Sequence, residues 1–417
     1  MSRMKARIAS AATALCLASV GATTAATAGE TPALTWQDIE LAARSHPALL
    51  AASSEVEEAA GAVAASRQYP NPVLSLGFGR AEALESPEED RVWELELSLP
   101  LLPLGAYRGA VRAAAAERSA AAHGAAGVRL EVLRALKELF LRVAHDQERL
   151  EALEASAAQL KALVDVARLR VGMGEARPME LSRMEIEAAR VDLEVAQAHE
   201  AARARREVLN LWLGSTMPAD FRVQADLADL PVLPPLDEAV AAAVSTHPDV
   251  GSAEQLLLAA TARLVAERWE RFPAIEIGGF YEKELDSRRF GGALQVTLPL
   301  WNWNSGRIAK AKAAETTARH RRDVRLREIE AAAQESHAAA VSAYARARGF
   351  RDVILPRAVE VAAAMEKMYQ VGEVDVMNVL DARRGLIEIE SELLGAYLES
   401  QLVYLQLAAL MGDSEND

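Results

Sequence analysis

The amino-acid sequence repeats its own plan after about 200 residues, and this repeat constrains the fold more than any other feature. His46-Pro47 recurs as His247-Pro248, and Leu99-Pro100-Leu101 recurs as Leu298-Pro299-Leu300. Two pairs of glycines share a spacing of 40 residues: Gly174 and Gly214, then Gly372 and Gly412. A unit this long, with both strand-like and helical stretches, predicts two similar halves rather than a solenoid of short repeats.

Residues 1–28 are typical of a secretory signal. Arg3, Lys5 and Arg7 precede a small apolar stretch, and Ala26-Thr27-Ala28 fits a cleavage site. The single cysteine, Cys16, lies inside this segment. The mature chain is therefore expected to have no disulfide and no cysteine-bound metal.

Net charge and hydropathy exclude two further classes of protein, those that bind nucleic acid and those with transmembrane helices. The chain has 417 residues and a net charge of −14, and loss of the basic signal makes it more acidic. Nucleic acids require basic surfaces, so no nucleic-acid partner is expected. No later stretch has the roughly 18 uninterrupted apolar residues typical of a transmembrane helix. An exported chain of this kind is predicted to be periplasmic, secreted or an outer-membrane barrel.

Each half contains a pair of stretches in which apolar and polar residues alternate, at about 73–99 and 274–299. In the first pair, Leu95 lies between Glu94 and Glu96, so one face is apolar and the other acidic. Period-two alternation predicts strands with one face toward lipid or core. In a barrel, Glu94 and Glu96 are expected to face the water-filled lumen.

Charged stretches at 85–90 and 282–289 are predicted to be the loops that join each pair of strands. Four strands cannot close a barrel or cover their own edges, so oligomerisation is expected. The strands look short for a membrane crossing, which needs about 9–11 residues.

The remaining chain is predicted to be helical. One helix is expected over 35–67, and long helical hairpins over about 106–213 and 306–411. Glycines form the hairpin turns, Gly172 and Gly174 in the first half and Gly372 in the second. Two heptad seams are predicted: Leu150, Leu153, Ala157, Leu160, Val164, Ala167 and Val171, then Ile354, Ala358, Val361, Met365 and Met368.

These elements divide the mature chain into a first repeat at 29–214 and a second at 236–412. A proline-rich linker at 215–235 joins them, and 413–417 form an acidic tail. The shape predicted is two long helical hairpins with a strand hairpin at the opposite end of each from the turn.

At this point the sequence resembles the TolC-type outer-membrane efflux family over essentially the whole mature chain. The residues that carry the resemblance are Pro70-Asn71-Pro72, Leu298-Pro299-Leu300 leading to Asn304-Ser305-Gly306-Arg307, and Val371-Gly372 running to Val379-Leu380-Asp381-Ala382. The first turn, from Arg170-Val171-Gly172 to Ala176-Arg177-Pro178, looks most like the heavy-metal, CzcC-like branch.

The resemblance implies a mainly helical trimer with a small β part. Its hairpins would form an α-barrel, and four strands from each chain a twelve-stranded transmembrane β-barrel. Such a duct passively exports substrates through the outer membrane, extends into the periplasm, and docks a periplasmic adaptor protein of an inner-membrane pump of the RND type. Heavy-metal cations are the favoured substrates; drugs, small organic molecules or type I secretion are the alternatives. A periplasmic adaptor and a structural coiled-coil protein are less favoured readings. No enzymatic activity, cofactor or resident metal is expected.

The resemblance also implies roles for residues at the hairpin tips. Tyr369 and Glu180 match a pair that holds the tip closed, while Met179 and Val374 depart from the family pattern, so the duct is expected to close less firmly. Adaptor contacts are expected at Val171, Gly172, Gly174, Val371, Gly372 and Glu373. Ring positions that line the pore match Asn378 and Asp381.

Asp381 would occur three times around one axis in a trimer, and a narrow acidic ring favours cations. Alternatively, Asp381 is an ordinary solvated helix carboxylate. The histidines show no i, i+4 pairing, so a specific metal site is not expected. His46 and His247 precede proline at equivalent places, which indicates a repeated structural role.

Overall fold

The structure, a computed structural model, describes residues 33–82, 89–215, 217–218, 220–284 and 287–412. The expected signal segment with Cys16, most of the first predicted loop and the acidic tail lie outside these residues. In chain order the elements are β1 (Ala33–Leu34), α1 (Trp36–Ala43), α2 (Pro47–Ser66), β2 (Val73–Glu82), β3 (Glu89–Leu101), α3 (Leu104–Gly172), α4 (Pro178–Trp212), β4 (Arg222–Val223), α5 (Leu236–Thr246), α6 (Pro248–Trp269), β5 (Ala274–Glu284), β6 (Ser287–Thr297), α7 (Ser305–Gly349), a π-helical turn (Phe350–Ile354), α8 (Leu355–Gln370) and α9 (Val376–Leu410). The fold is therefore mainly helical with a small sheet, as the sequence predicts.

The helix predicted over 35–67 is instead two helices, because the chain turns at His46 and the proline after it. Proline fits the first turn of a helix, where its missing N–H costs nothing. His46 Nδ1 accepts a hydrogen bond from the N–H of Ala48 at 3.3 Å. His247 Nδ1 does the same for Asp249 at 3.2 Å, at the start of α6. Each histidine therefore caps a helix in its own half.

The first hairpin contains one unbroken helix of 69 residues, α3, about 100 Å long at 1.5 Å per residue. Gly172 is its last residue, and the turn is made by Gly174, with φ +77°. Gly214, Gly372 and Gly412 also have positive φ, of +77°, +82° and +73°. Because this conformation strains other L-residues, the glycine spacing marks both ends of each return helix.

The second hairpin is interrupted where the first is not. The π-helical turn separates α7 from α8, and none of its residues is buried. An extra residue in such a turn rotates the helix that follows by about 100°. In α8 the buried residues are Ala362 and Tyr369, whereas Val361 and Met368 of the predicted seam are exposed. The predicted seam is therefore wrong at these two positions, whereas its member Met365 packs against the cluster that contains Tyr369.

The four long strands form one antiparallel sheet in the order β2-β3-β5-β6. They contain 10, 13, 11 and 11 residues, so the expectation that they are too short for a membrane is wrong. The loops predicted at 85–90 and 282–289 are too long, because the strands continue into them. Glu89 pairs with Glu82, and Glu282 pairs with Arg289. β2 and β6 are the edges of the sheet in the described chain.

The segment predicted as a linker, 215–235, packs against the helices. β4 pairs in parallel with β1. The side-chain amide of Gln147 on α3 accepts from Val223 N at 3.0 Å and donates to Val223 O at 3.3 Å. Phe221 and Leu227 are buried in the cluster that we call the belt core. The segment thus forms a belt fastened to α3.

Two hydrophobic clusters hold the helices together. The belt core joins α1, α3, the belt and α9 around residues such as Leu136, Phe140 and Tyr397. The second cluster, the tip core, joins the two hairpins near their turns, and most of the seam predicted for α3 is buried there. Its members are Ala157, Leu160, Leu163, Val164, Ala167, Met184, Val191, Tyr369, Val376, Val379 and Leu380.

Among the described helices, α9 is long and apolar enough to cross a membrane by length and composition. The criterion of an uninterrupted apolar run missed it. Its apolar residues are divided between the two cores: Val379 and Leu380 lie in the tip core, and Leu393 and Tyr397 in the belt core. We therefore assign α9 to the helical hairpin.

Candidate functional site at the hairpin tips and on the sheet

Tyr369 lies at the end of α8 and is only 1% exposed. Arg170 of the first hairpin donates from Nη1 to the backbone carbonyl of Tyr369 at 2.7 Å, and its guanidinium lies 4.9 Å from the centre of the tyrosine ring. Carbonyls in the last turn of a helix have no partner within it, and a cation there is favoured by the helix dipole. Arg170 therefore caps α8 from the neighbouring hairpin.

Glu180, the predicted partner of Tyr369, lies half-buried in the first turn of α4. Its carboxylate accepts from the backbone N–H of Arg177 at 3.5 Å. The Tyr369 hydroxyl is buried and has no hydrogen-bond partner among the described residues. Burial raises the pKa of this phenol; Arg170 opposes that shift and the charge of Glu180 adds to it. The structure thus places Glu180 within electrostatic reach of Tyr369 without a hydrogen bond.

Asn378 and Asp381 lie on the exposed side of α9. The Asp381 side chain is 66% exposed, and its carboxylate is 3.7 Å from the guanidinium of Arg384. Arg384 donates to both carboxylate oxygens of Glu187 on α4, with Nε 2.7 Å from Oε1. Glu187 is 4% exposed, and its hydrogen bond from Arg384 lowers the pKa of the carboxyl while burial opposes the shift. Asp381, one of the two predicted ring positions, therefore adjoins an ion pair between the hairpins whose carboxylate is buried.

Exposed apolar side chains surround both turns. Leu169, Met173 and Met179 are exposed on the first hairpin, and Val371 on the second. Of the predicted adaptor contacts, Val171 is half-buried; the others are exposed, namely Gly172, Gly174, Val371, Gly372 and Glu373. These residues form a partly apolar surface at the end of the molecule farthest along the hairpins from the sheet.

The sheet has one polar face. Residues that are directly paired across antiparallel strands lie on the same face. Glu94 is paired with Gly77 on one side and Glu282 on the other, and Glu282 forms an ion pair with Arg289 at 3.5 Å. In the direction of Leu101, the next row of this face places Glu96 beside Phe280, and a later row places Glu276 beside Gln295. The face that holds Glu94 and Glu96 is therefore acidic overall.

The opposite face is apolar, with aromatic residues toward the hairpin ends of the strands. Leu76, Leu95, Tyr281 and Phe290 form one row. In the next row, Trp93 lies with its ring centre 5.0 Å from that of Tyr281. Aromatic side chains at the margin of an apolar band are typical of transmembrane barrels.

No group of three or more metal-ligating side chains occurs in the described part of the chain. The histidines have other contacts: His46 stacks on Trp212, with ring centres 5.4 Å apart, and His337 Nε2 lies 2.9 Å from the backbone oxygen of Pro234. These contacts are structural.

Sequence reasoning missed three residues at the tips: Arg170, Glu187 and Arg384. A weak signal existed for Glu187, because it lies seven residues after Glu180 and therefore on the same face of α4. Arg384 follows Asp381 by one helical turn. No sequence pattern indicates either contact between the hairpins, because Arg170 and Tyr369 are 199 residues apart and Glu187 and Arg384 are 197 residues apart.

A sheet with one lipid-suited face, joined to helical hairpins about 100 Å long, defines the class of outer-membrane ducts that reach into the periplasm. The sequence model of the family described as "Outer membrane efflux protein" matches residues 39–215 and 239–413. The chain belongs to this family. It is accordingly an outer-membrane efflux channel, and its relatives are channel proteins rather than enzymes.

Individual relatives agree with this assignment. The chain is 25% identical to the cobalt-zinc-cadmium resistance protein CzcC of Cupriavidus metallidurans over 365 residues, which cover 86% of this chain and 84% of that one. It is 26% identical to the toluene efflux pump outer membrane protein TtgI of Pseudomonas putida, over 55% of this chain and 52% of that one. The crystal structure of CusC matches the fold with a TM-score of 0.75 at 16% identity, covering 90% of this chain and 91% of that one.

Proposed function

We propose that this chain forms a homotrimeric exit duct that passes heavy-metal cations from an inner-membrane pump to the outside. The observation that carries the substrate is the likeness to CzcC, which extends over most of both chains. The acidic face of the sheet supports it, because carboxylates that line a pore favour cations.

The edges of the sheet support the proposed trimer. β2 and β6 are both long strands that present unpaired backbone groups in a single chain. Three chains joined edge to edge would give twelve strands, with Glu94 and Glu96 toward the lumen and the leucine rows toward lipid. The hairpins would then enclose a helical barrel in the periplasm.

The exposed tips support docking of a periplasmic adaptor, which would connect the duct to a pump of the RND type. Val371, Met173 and Leu169 are large apolar residues without cover at the turns. Asn378 and Asp381 would line the opening, and Tyr369 with Glu180 would act at the gate. A periplasmic adaptor or a structural coiled coil is less well supported, since neither needs a sheet with a lipid-suited face.

A duct for drugs or organic solvents is the second candidate, favoured by the likeness to TtgI and to the solvent efflux protein SrpC of Pseudomonas putida. Deletion of the gene, followed by complementation, separates the two. We expect loss of tolerance to cobalt, zinc and cadmium with unchanged tolerance to toluene. Unchanged metal tolerance with increased toluene sensitivity would exclude the metal reading. Outer-membrane fractionation and heat-resistant trimer bands test the duct itself, and a soluble monomer would contradict it.

A further inference from the structure

We propose that the helical contact between subunits is wider than the equivalent contact inside one chain, and that Ile308 and a Lys312–Glu58 ion pair fill it. The surfaces that meet are α7 of one chain and α2 of a second copy, where Gly61 leaves room for the Ile308 side chain. The inference rests on the trimer of the proposed function.

Four helices next to the sheet lie in the row α2, α3, α6, α7, because α3 contacts both α2 and α6, and α6 contacts α7. The repeat makes α6 and α7 the equivalents of α2 and α3. His247 follows His46 by 201 residues, and Arg307 follows Arg108 by 199. In a ring of identical chains, α7 of one chain therefore meets α2 of the next. The contact of α3 with α6 is the template for this contact between chains.

The two halves are also equivalent in how their helices pack. In the first half, the Tyr107 hydroxyl donates to the carbonyl oxygen of Arg67, just after α2, at 3.1 Å. In the second half, Arg307 pairs with Glu267 of α6 at 3.0 Å. These two residues are each within one position of the equivalents of Tyr107 and Arg67. Positions matched through the repeat therefore occupy matching places in the row.

The template contact is close because each helix supplies a glycine. A Cβ atom added to Gly109 of α3 would lie 2.8 Å from the Cβ of Ala266 and 3.0 Å from the carbonyl oxygen of Ala262. One added to Gly251 of α6 would lie 2.7 Å from the ring of His123. Larger residues at either position would force α3 and α6 apart.

The surfaces that would meet between chains have larger residues at both places. Ile308 is the equivalent of Gly109, and Leu50 is the equivalent of Gly251. Leu50 is 56% exposed in the single chain. On α2, Gly61 takes the place of the second alanine of the template, and no atom of the described residues lies within 4 Å of a Cβ added there. Helices α7 and α2 therefore cannot approach as closely as α3 and α6, and the Ile308 side chain fills the wider gap at Gly61.

One turn along the same faces, the charges are complementary. Ala113 of α3 and Ala259 of α6 are buried in the template, at 3% and 1% exposure. Their equivalents are Lys312 of α7 and Glu58 of α2, and both are exposed in the single chain. Long side chains of opposite charge can bridge a gap that two methyl groups cannot, and they fix the register of the two helices. The surface of α2 thus fits α7 of a second copy of this chain.

Paired cysteines test the contact, because the single natural cysteine, Cys16, lies in the predicted signal. Ala65 is the equivalent of Ala266, so Ala65→Cys combined with Ile308→Cys should give covalent trimers on mild oxidation of the outer-membrane protein. Boiled, non-reducing gels measure them. Ala60→Cys with Ile308→Cys is the matched control, since Ala60 lies about 140° around α2 from Ala65. It should give few covalent trimers, and equal yields from both pairs would contradict the contact.

Exchange of the charges tests the ion pair without cysteines. Glu58→Lys should lower the temperature at which the heat-resistant trimer bands disappear, and addition of Lys312→Glu should restore it. Glu57→Lys is the matched control, because the equivalent of Glu57 is Leu258, which is 56% exposed on α6. A double variant as unstable as Glu58→Lys alone would show that these two residues do not meet.

The outcomes separate this inference from the proposed function. Heat-resistant trimers of the wild type without cross-links between Ala65→Cys and Ile308→Cys would leave the duct standing and make this contact wrong. Absence of both trimers and cross-links would make the proposed trimer wrong as well. A disulfide within a monomer would place α2 against α7 of its own chain and overturn the inference. Circular dichroism verifies that every variant is folded.

Discussion

Arg384 in the second hairpin holds the buried carboxylate of Glu187 in the first, with two hydrogen bonds across the gap between α9 and α4. A carboxylate that is 4% exposed is stable only when it is paired. Asp381, the predicted pore residue, lies 3.7 Å from the same guanidinium. The chain thus links the residue expected to select cations to the contact that holds its hairpins together.

Arg384→Ala is expected to destabilise the tips because it leaves Glu187 buried without a partner. The cost should be about 2 kcal/mol, below that of a fully buried pair, because the Arg384 side chain is 43% exposed. Thermal unfolding followed by circular dichroism measures it, and a double-mutant cycle with Glu187→Gln isolates the pair. Additive effects of the two substitutions would contradict a direct interaction.

The same pair predicts a pH dependence. Arg384 lowers the pKa of Glu187 from its ordinary value of 4.5 in the folded state. The stability from this shift is therefore complete above pH 4.5 and is lost as the pH falls below it. Wild-type and Glu187→Gln proteins should differ in this range, and the unfolding temperature of the wild type should fall further as the pH decreases. Parallel curves would show that the pair does not titrate with folding.

Asp381→Asn is expected to lower the cation preference of the channel in planar bilayers. Removal of three carboxylates around one axis should reduce the cation-to-anion permeability ratio by about twofold at low salt, and by less at high salt. Asp165→Asn is a matched control, since Asp165 is 72% exposed and also pairs with an arginine three residues later, at 2.8 Å. An unchanged ratio in Asp381→Asn would remove this residue from the pore.

Gly174→Ala and Gly172→Ala should have opposite effects although the residues are two apart. Gly174 has φ +77°, so a methyl group there costs about 1 kcal/mol. Gly172 ends a regular helix, and no atom of the described residues lies within 4 Å of the added carbon, so alanine should stabilise by about 0.5 kcal/mol. Unfolding midpoints of both variants test this, and a destabilising Gly172→Ala would contradict it.

His247 is expected to make stability fall in mildly acidic solution. Burial lowers its pKa below 6.5, and protonation would remove the Nδ1 acceptor that caps α6. Its contribution is therefore present above pH 6.5 and is lost as the pH falls below it. His247→Asn keeps a capping acceptor without titrating. The difference in unfolding midpoint between the two proteins should change between pH 8 and pH 5, and a constant difference would reject the idea.

Arg170→Ala is expected to loosen α8 and raise the single-channel conductance. The substitution removes the 2.7 Å hydrogen bond to the Tyr369 carbonyl and the contact with its ring. Arg168→Ala is the matched control, because the ion pairs of Arg168 within the described residues are with Asp165 and Glu185 of the first hairpin. Equal conductance in both variants would show that Arg170 does not hold the tip.

The sequence predicted those parts of the fold that depend on local rules. These rules concern glycine at positive φ, proline after histidine, and alternation of apolar and polar residues in strands. Each can be recognised from residues that are close in sequence, as at Gly174 and Leu95. The π-helical turn has no comparable sequence pattern, so the predicted seam positions Val361 and Met368 are wrong. The strand ends were also misjudged, since Glu282 and Arg289 look like loop residues until their pairing across the hairpin is known.

The candidate site was predictable only in part, for a similar reason. The resemblance to the efflux family assigned Asp381 and Tyr369 by their positions relative to Gly372, and their roles stay predictions. The contacts of Tyr369 with Arg170, and of Glu187 with Arg384, join positions almost one repeat apart. These contacts depend on how the two halves of the chain pack against each other. The order of residues along the sequence does not give that packing.

The two return helices, α4 and α9, have the same length of 35 residues and are bounded by matching glycines. Both turns of one chain should therefore end at one level, and a three-chain assembly would present a rim of six turns. The rim would be sixfold in outline but threefold in chemistry, because Met173 alternates with Val371. A docking protein with six identical subunits would meet two kinds of binding site, so its subunits would have to bind in two non-equivalent ways.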